Sequence, residues 1–474
     1  MSKAETGTRL AFGADDYARI ADSLRSTDDL LSAGYPGDDG SRQPVHTVYV
    51  PADTFTPDLG ADWGRQALAA VDGQGGLEQL AGQLGLADPG TLAALTAAKL
   101  ASEPIEDLRL DFEDGYGARP DAEEDAHAVA AGRDVARAVA AGTAPAFIGI
   151  RFKSFEAPTR DRGLRTLDLF LSSLLSGPAA GSGPGRESLP GSGLPGPGLP
   201  SSGHPGPGLP GPGLPNSGHP GSGLPDGLVL TLPKVSTVAQ VEAMAYACGR
   251  LEEAHGLPGG RLRFEVQMET PLLILGADGT VPVAQLLHAG SGRISALNYG
   301  TYDYSASLGI AAAYQSMEHP AADYAKAVMQ VAAAGTGVRL SDGSTNILPV
   351  GDPETIQRAW VLHARLVARS LAAGYYQGWD LHPAQLPTRY LATYGFYRSG
   401  FDAAAARLNN YVHRLESTIL DEPATARALA RFIHRGLTCG ALTSGEVAEA
   451  VGVSPDELAH LAHPQTPNRS GNKQ

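Results

Sequence analysis

The sequence predicts an α/β protein of the TIM (β/α)8 barrel class, with a helical segment before the barrel and a helical extension after it. Three observations carry that expectation. Short apolar runs alternate eight times with longer segments of helical periodicity, the pattern of a parallel sheet with helical crossovers. The first run, VYVPADTF, is not followed by the glycine-rich turn that an open doubly wound sheet would place there. Ionisable residues gather at the carboxyl ends of the runs, the face on which barrel enzymes do their chemistry.

In chain order, residues 1–14 read as a loose tail. Asp15–Ala33 reads as a helix with acidic residues in its first turn and Ile20, Leu24 and Leu31 on one side. Strand one is Val45–Asp53, rich in β-branched residues and stopped by Pro51. Residues 63–104 are Ala/Leu-rich and helical, with breaks at Gly75 and Pro89. Strand two, Asp107–Gly117, ends in Asp111, Glu113 and Asp114. A helix at Ala122–Ala141 leads to strand three, Ala146–Phe155, and an amphipathic helix follows at Thr159–Leu175. Strand four is Gly227–Val235, ending in Pro233 and Lys234, and a helix follows at Thr237–His255. Strand five, Arg261–Thr270, alternates Phe264, Val266 and Met268 with Glu265, Gln267 and Glu269, a period of two. Ile294–Tyr299 is strand six, broken by Gly300 to Asp303. A helix at Tyr324–Ala334, strand seven at Gly337–Gly343, a helix at Pro353–Ala373 and strand eight at Gly374–Pro383 complete the set.

The expected organisation is therefore an N-terminal tail and helix (1–44), a barrel (45–400) and a C-terminal helical extension (401–474). Within the barrel, residues 177–226 form an insert of Gly, Pro, Ser and Leu in which SGHPG recurs around His204 and His219. It has neither helical nor strand periodicity and reads as disordered. Glycine does not fall on every third position, so it is not collagen. It follows a helix and precedes a strand, which puts it at the amino-terminal face, away from barrel chemistry. The extension holds helices at Phe401–Leu420 and Pro423–Leu437, then TSGEVAEAVGVSPDELAHLA, which has the rhythm of a helix-turn-helix. Glu446, Glu449, Asp456 and Glu457 would meet phosphates there with no basic residue among them, so a helical cap is expected and not a DNA reader.

Composition bounds the function. The chain of 474 residues is 42% apolar, enough for a large core. A net charge of −15 argues against a nucleic-acid surface. Cys248 and Cys439 form no C-x-x-C pair, which fits a reducing compartment and neither a disulfide framework nor a zinc ribbon. The opening MSKAETGTRLAFGADD lacks the apolar region of a signal peptide, and no run approaches the ~20 apolar residues that span a membrane. A soluble cytoplasmic protein is expected.

The chemistry collects on one rim. Glu113 and Asp114 end strand two, Arg151 strand three, Lys234 strand four, Glu269 strand five and Asp303 strand six. Glu269 and Asp303 offer two hard oxygen ligands at the ends of neighbouring strands, with room for water and substrate, as Mg²⁺ (or Mn²⁺) requires. An acidic cluster with an arginine and a lysine beside it suits a divalent ion plus an anionic substrate. For the general base, Glu113 and Asp114 are candidates by position, with Asp380 and His382 behind them.

The series VYVPAD, LRLDFEDG, IGIRF, LVLTLPKV, VQMETP, LNYGTYD and DLHPAQL resembles, in order, the citrate lyase β-subunit/malyl-CoA lyase group of the HpcH/HpaI aldolase superfamily. The match runs from about Val45 to Leu386, omitting the insert. SALNYGTYDYSASLG also resembles a strand of malate synthases. The resemblance implies a Mg²⁺ held by Glu269 and Asp303, Arg151 on a substrate carboxylate or enolate oxygen, and Glu113 and Asp114 ordering water. It implies a carbon–carbon lyase acting on a small 2-oxo or 2-hydroxy acid, or its CoA thioester, in a homo-oligomer; by their places at strand ends, Lys234 and His382 are expected beside the substrate. A malate synthase-like condensing enzyme, a phosphoenolpyruvate- or pyruvate-handling enzyme and a non-catalytic metal-binding barrel are the rival readings. The chain departs from the family pattern at His46 and Thr47 on strand one, and at Phe152 and Lys153 after Arg151.

Overall fold

The computed structural model describes residues 11–176, 224–415 and 422–464. The insert expected to be disordered, with His204 and His219, lies outside the described residues except for 224–226. Eight strands are present: β1 (His46–Pro51), β2 (Asp107–Asp111), β3 (Phe147–Arg151), β4 (Leu228–Leu232), β5 (Phe264–Met268), β6 (Ile294–Tyr299), β7 (Arg339–Ser341) and β8 (Gly378–Asp380). All neighbours pair in parallel in the order β7-β6-β5-β4-β3-β2-β1-β8. A bridge between Ser341 and Gln377 brings the two edges together, so the sheet is a nearly closed barrel.

The helices follow the expected alternation. Helix α1 (Ala14–Gly34) precedes the barrel and buries none of its side chains. Helices α2 (Leu59–Asp72), α3 (Leu77–Gln83) and α4 (Pro89–Ser102) connect β1 to β2. The next four crossings use α5 (Asp121–Ala141), α6 (Arg160–Leu175), α7 (Val238–His255) and α8 (Pro282–Ala289). Helices α9 (Thr301–Ser307) and α10 (Pro320–Ala333) lead to β7, and α11 (Pro353–Ala372) leads to β8. Local chemistry sets the boundaries. Thr237 and Gln240 form a capping box on α7, and Asp352 accepts from the Thr355 amide at 2.9 Å to start α11. Gly142 and Gly256 end α5 and α7 in the left-handed conformation.

The C-terminal helices are α12 (Leu386–His413), α13 (Pro423–Thr438), α14 (Ser444–Val451) and α15 (Pro455–Ala462). The helix expected at Phe401 begins already at Leu386, because Pro387 fits the first turn of a helix as well as it ends one. Its apolar residues Phe401 and Leu408 pack with Ile433, Val447, Val451 and Leu458 into a second core. The pair α14 and α15 is thus held by burial. Capping boxes at Thr443/Glu446 and Ser454/Glu457 use the acidic residues that would have repelled DNA.

Strand register decides what lies inside the barrel. Val48 and Val50, Leu108 and Leu110, Ile148 and Ile150, and Val266 and Met268 share the outer face and pack under the helices. The inner face is polar. Arg109 donates to Glu265 Oε1 and Oε2 at 3.0 and 3.1 Å and to Thr231 Oγ1 at 3.0 Å, and also pairs with Asp107. Thr47 donates to Asp107 at 2.8 Å, and Gln377 donates to Thr47 at 2.9 Å. Arg109, Asp107 and Glu265 are almost wholly buried, so this network is sustained only because each charge has partners.

Candidate active site

Above that layer, at the carboxyl end of the strands, the sequence-predicted residues converge. Arg151 closes β3 and is buried. Its Nε and Nη2 donate to the two oxygens of Asp111 at 2.7 and 2.6 Å, and its guanidinium lies 4.8 Å from the centre of the Tyr49 ring. Burial opposes the charge, but Asp111 outweighs it and holds the guanidinium well above its ordinary range. This revises the role expected of Arg151. The forked edge foreseen for a substrate anion is already filled by Asp111. The remaining Nη1 lies 3.6 Å from Glu113 Oε2 and 3.5 Å from Gln267 Oε1.

Glu113 and Asp114 follow β2 in a tight turn, where Asp111 accepts from the amides of Glu113 at 3.0 Å and Gly115 at 2.8 Å. Lys234 reaches across from the end of β4, 2.5 Å from Glu113 Oε1 and 2.7 Å from Asp114 Oδ1. It is one of few non-glycine residues with a positive φ, at 51°. Its own amide donates to Glu269 Oε2 at 2.9 Å. Lys234 thus joins the acidic pair of β2 to the carboxylate of β5. Burial pushes Glu113 up to about 7, against the pull of Arg151 and Lys234, with Asp114 adding to the rise.

Glu269 is 2% exposed. Burial pushes its carboxyl up to about 8, against Arg151, while Asp303 and then Glu113 add to the rise. The influence of Asp303, in the first turn of α9, places the two carboxylates within electrostatic reach of each other. Gly300 makes room for Glu269: a Cβ there would lie 2.3 Å from Glu269 Cγ. Two such carboxylates, one of them costly to ionise alone, fit a divalent cation, and Glu269 and Asp303 would hold it. Among the described residues no group of three or more His, Cys, Asp or Glu forms a complete metal cage. The remaining ligands would then come from water and substrate, as Mg²⁺ sites use them.

Two expected candidates are not brought to this cluster. Asp380 shares the outer face with Val48 and is buried between the barrel wall, α11 and α12. It pairs with His46 at 2.6 Å, His363 at 3.0 Å and Arg389 at 2.9 Å. His382 uses Nδ1 to accept from the Ala384 amide at 3.1 Å, capping the short turn Pro383–Gln385. No contact joins it to Glu113, Lys234 or Glu269. His46 likewise points outward, its Nδ1 against Asp380.

Sequence reasoning missed Asn298 on β6 and Trp379 on β8. Asn298 pairs in register with Gln267 and so faces inward, fully buried, with neither side-chain amide atom hydrogen-bonded among the described residues. Trp379 packs 4.7 Å from Tyr49, and its Nε1 has no partner among the described residues. The signal was available: an asparagine inside LNYG is out of place on an apolar face.

The family model described as Domain of unknown function (DUF6986) matches residues 24–184 and 218–466. The chain belongs to this family. No curated protein matches it in sequence. Among solved structures it is similar to a citrate lyase from Burkholderia xenovorans LB400, with 17% identity and a TM-score of 0.49 over 88% of this chain and 99% of that one. It is also similar to Haloferax volcanii malate synthase in a magnesium/glyoxylate complex, with 13% identity and a TM-score of 0.44 over 89% and 97%. A third is CitE from Mycobacterium tuberculosis with magnesium, acetoacetate and coenzyme A, at 16% identity and a TM-score of 0.42 over 85% and 99%. At such identity and overlap, neither activity nor substrate transfers from them to this chain.

Proposed function

We propose that the protein is a Mg²⁺-dependent enzyme that breaks or forms a carbon–carbon bond in a small 2-oxo or 2-hydroxy acid or its CoA thioester. One observation carries this reading. Glu269 at the end of β5 is within electrostatic reach of Asp303 in the first turn of α9, and the amide of Lys234, whose ammonium holds Glu113 beside Arg151, donates to Glu269. A divalent ion held there would supply Lewis-acid polarisation of a keto or carboxylate oxygen.

The chain's own residues account for the rest. The Nη1 of Arg151, held only by long contacts to Gln267 at 3.5 Å and Glu113 at 3.6 Å, is a fixed donor for an oxygen on which negative charge develops. Asp111 locks it in place, so no reorganisation is needed when the charge appears. Glu113 is the general base we assign. In the cleavage direction it accepts the proton of the hydroxyl, the electron pair of the adjacent carbon–carbon bond passes into the enolate of the departing fragment, and Glu113 returns the proton to that fragment's carbon; in condensation it takes the proton from that carbon and returns it to the new hydroxyl. Burial brings its carboxyl up to about 7, close to the working pH of a general base. Lys234 orients Glu113 and anchors Glu269 through its amide, so one residue couples the base to the metal carboxylate.

Calorimetric titration of the metal-free protein with Mg²⁺ tests this. It is repeated with glyoxylate, oxaloacetate, pyruvate and phosphoenolpyruvate, the first chosen because the Haloferax malate synthase structure holds magnesium with glyoxylate. Tighter Mg²⁺ binding with one acid is expected, and its loss in Glu269→Gln at an unchanged melting temperature. Absence of Mg²⁺ binding under every condition overturns the reading.

A further inference from the structure

The opposite mouth of the barrel holds a second concentration of charge that the proposed reaction does not use. We propose that it binds a small dianion, a phosphoryl or dicarboxylate group, gripped between the barrel and the C-terminal helices. The cavity there has a volume of about 240 Å³. That equals the share of liquid volume of roughly eight waters, enough for phosphate or a short dicarboxylic acid and too small for a nucleotide. Its wall is built from the loop at 37–43, the start of β7, and helices α13 and α15.

The wall carries an excess of positive charge in a chain whose net charge is −15. Arg339, Arg431 and Arg435 line it against a single carboxylate, Asp38, which leaves a surplus of two positive charges. Arg435 is committed: its Nη2 lies 3.0 Å from Asp38 Oδ2, and its guanidinium stacks 4.3 Å from the Tyr376 ring centre. Arg339 donates to Ser41 Oγ, a neutral partner. Arg431 makes one hydrogen bond, from Nε to the Ala462 carbonyl at 3.0 Å, and neither of its Nη groups has a partner among the described residues. His434 and His463 complete the wall with their rings 5.3 Å apart.

Electrostatics agrees with the geometry. Burial pulls Arg339 below its ordinary range against the opposing pull of Asp39 and Asp38, and Arg263 and Arg435 add to the fall. Burial pulls Arg431 down as well, against Asp38, with Arg435 and Arg427 adding. Burial, then His463 and Arg435, push His434 down to about 4, so it is neutral near pH 7 and serves as a hydrogen-bonding group. Arg109 and Arg151, in contrast, are buried beside carboxylates that raise them. At Arg339 the neighbouring Asp39 and Asp38, and at Arg431 the neighbouring Asp38, do not outweigh burial, and a bound dianion would add to that compensation. The loop brings its backbone close: Gly40 has φ of 74°, and a Cβ there would lie 2.9 Å from the His463 ring. A ligand held here touches the N-terminal loop, the barrel and the last helices together, so its binding stabilises their junction.

The test is calorimetry on the full chain at low ionic strength, with inorganic phosphate and with succinate as separate probes. Saturable binding of at least one probe is expected, about tenfold weaker in Arg431→Gln, restored in Arg431→Lys, and unchanged in Glu269→Gln. Binding of phosphate alone assigns a phosphoryl site, and of succinate alone a dicarboxylate site. Thr438→Glu adds a carboxylate to the same wall and is expected to abolish binding without altering Arg431. Failure of both probes to saturate, or wild-type affinity in both Arg431→Gln and Thr438→Glu, overturns the proposal. Because the site lies on the amino-terminal face, that outcome leaves the Mg²⁺ site untouched.

Discussion

Glu113 and Asp380 are both buried carboxylates near strand ends, and their neighbours send them in opposite directions. Burial dominates at Glu113 and keeps its carboxyl near 7. Glu113→Gln is expected to lower turnover by about 10²–10⁴-fold while leaving Mg²⁺ affinity nearly intact, read by steady-state kinetics beside calorimetry. At Asp380 burial opposes ionisation, but Arg389, then hydrogen bonds from His363 and His46, hold the carboxyl well below the usual range. A depressed folded value means that stability is fully present above the unfolded carboxylate value of about 3.9 and is lost as pH falls towards the folded one. Asp380→Asn strands Arg389 in the core and is expected to cost about 3–5 kcal/mol in urea unfolding at pH 7. It is also expected to flatten the fall of stability below pH 4.

Single elements depend on two glycines. Gly149 lies in the middle of β3, where a Cβ would stand 1.6 Å from the Val229 carbonyl on β4. Since backbone cannot yield cheaply, Gly149→Ala is expected to destabilise by about 1–3 kcal/mol or more, seen as a lower urea midpoint. Gly300 links β6 to α9 and abuts a side chain instead. Gly300→Ala is therefore expected to leave the melting temperature nearly unchanged while weakening Mg²⁺ about 10–100-fold, because Glu269 must move to accommodate the methyl group. If Gly300→Ala binds Mg²⁺ like wild type, Glu269 is not the ligand.

For the whole molecule, the barrel is organised outside-in. Its strands put branched apolar residues under the helices and keep charged and amide groups for the interior, whereas barrels of this class commonly fill the interior with bulky apolar side chains. The two ends then differ in sign: carboxylates collect at the carboxyl rim and arginines at the amino mouth. The described residues that flank the Gly/Pro/Ser/Leu-rich stretch are the end of α6 and the start of β4, at the amino-terminal side of the barrel. Replacing residues 177–223 with a short Gly-Ser linker is expected to leave Mg²⁺ affinity unchanged by calorimetry.

Much of this was legible in the residues alone. The period-two runs and their helical intervals determined the strand order, because a parallel strand pair needs a helical crossover and a barrel closes when eight such units meet. The same reading placed Glu113, Arg151, Lys234, Glu269 and Asp303 on one rim, since each ends a strand. Tertiary structure decided which atoms of those residues remain available. Sequence gives the identity of a strand-end charge but not its partner, so it could not foresee that Asp111 would occupy the fork of Arg151. Nor could it foresee that Asp380 faces outward: a period of two assigns alternate faces without saying which face is the inside. The cationic mouth was invisible for a stronger reason. Asp38, Arg339 and Arg435 are far apart in the chain, and only closure of the barrel against its C-terminal helices brings their charges into one wall.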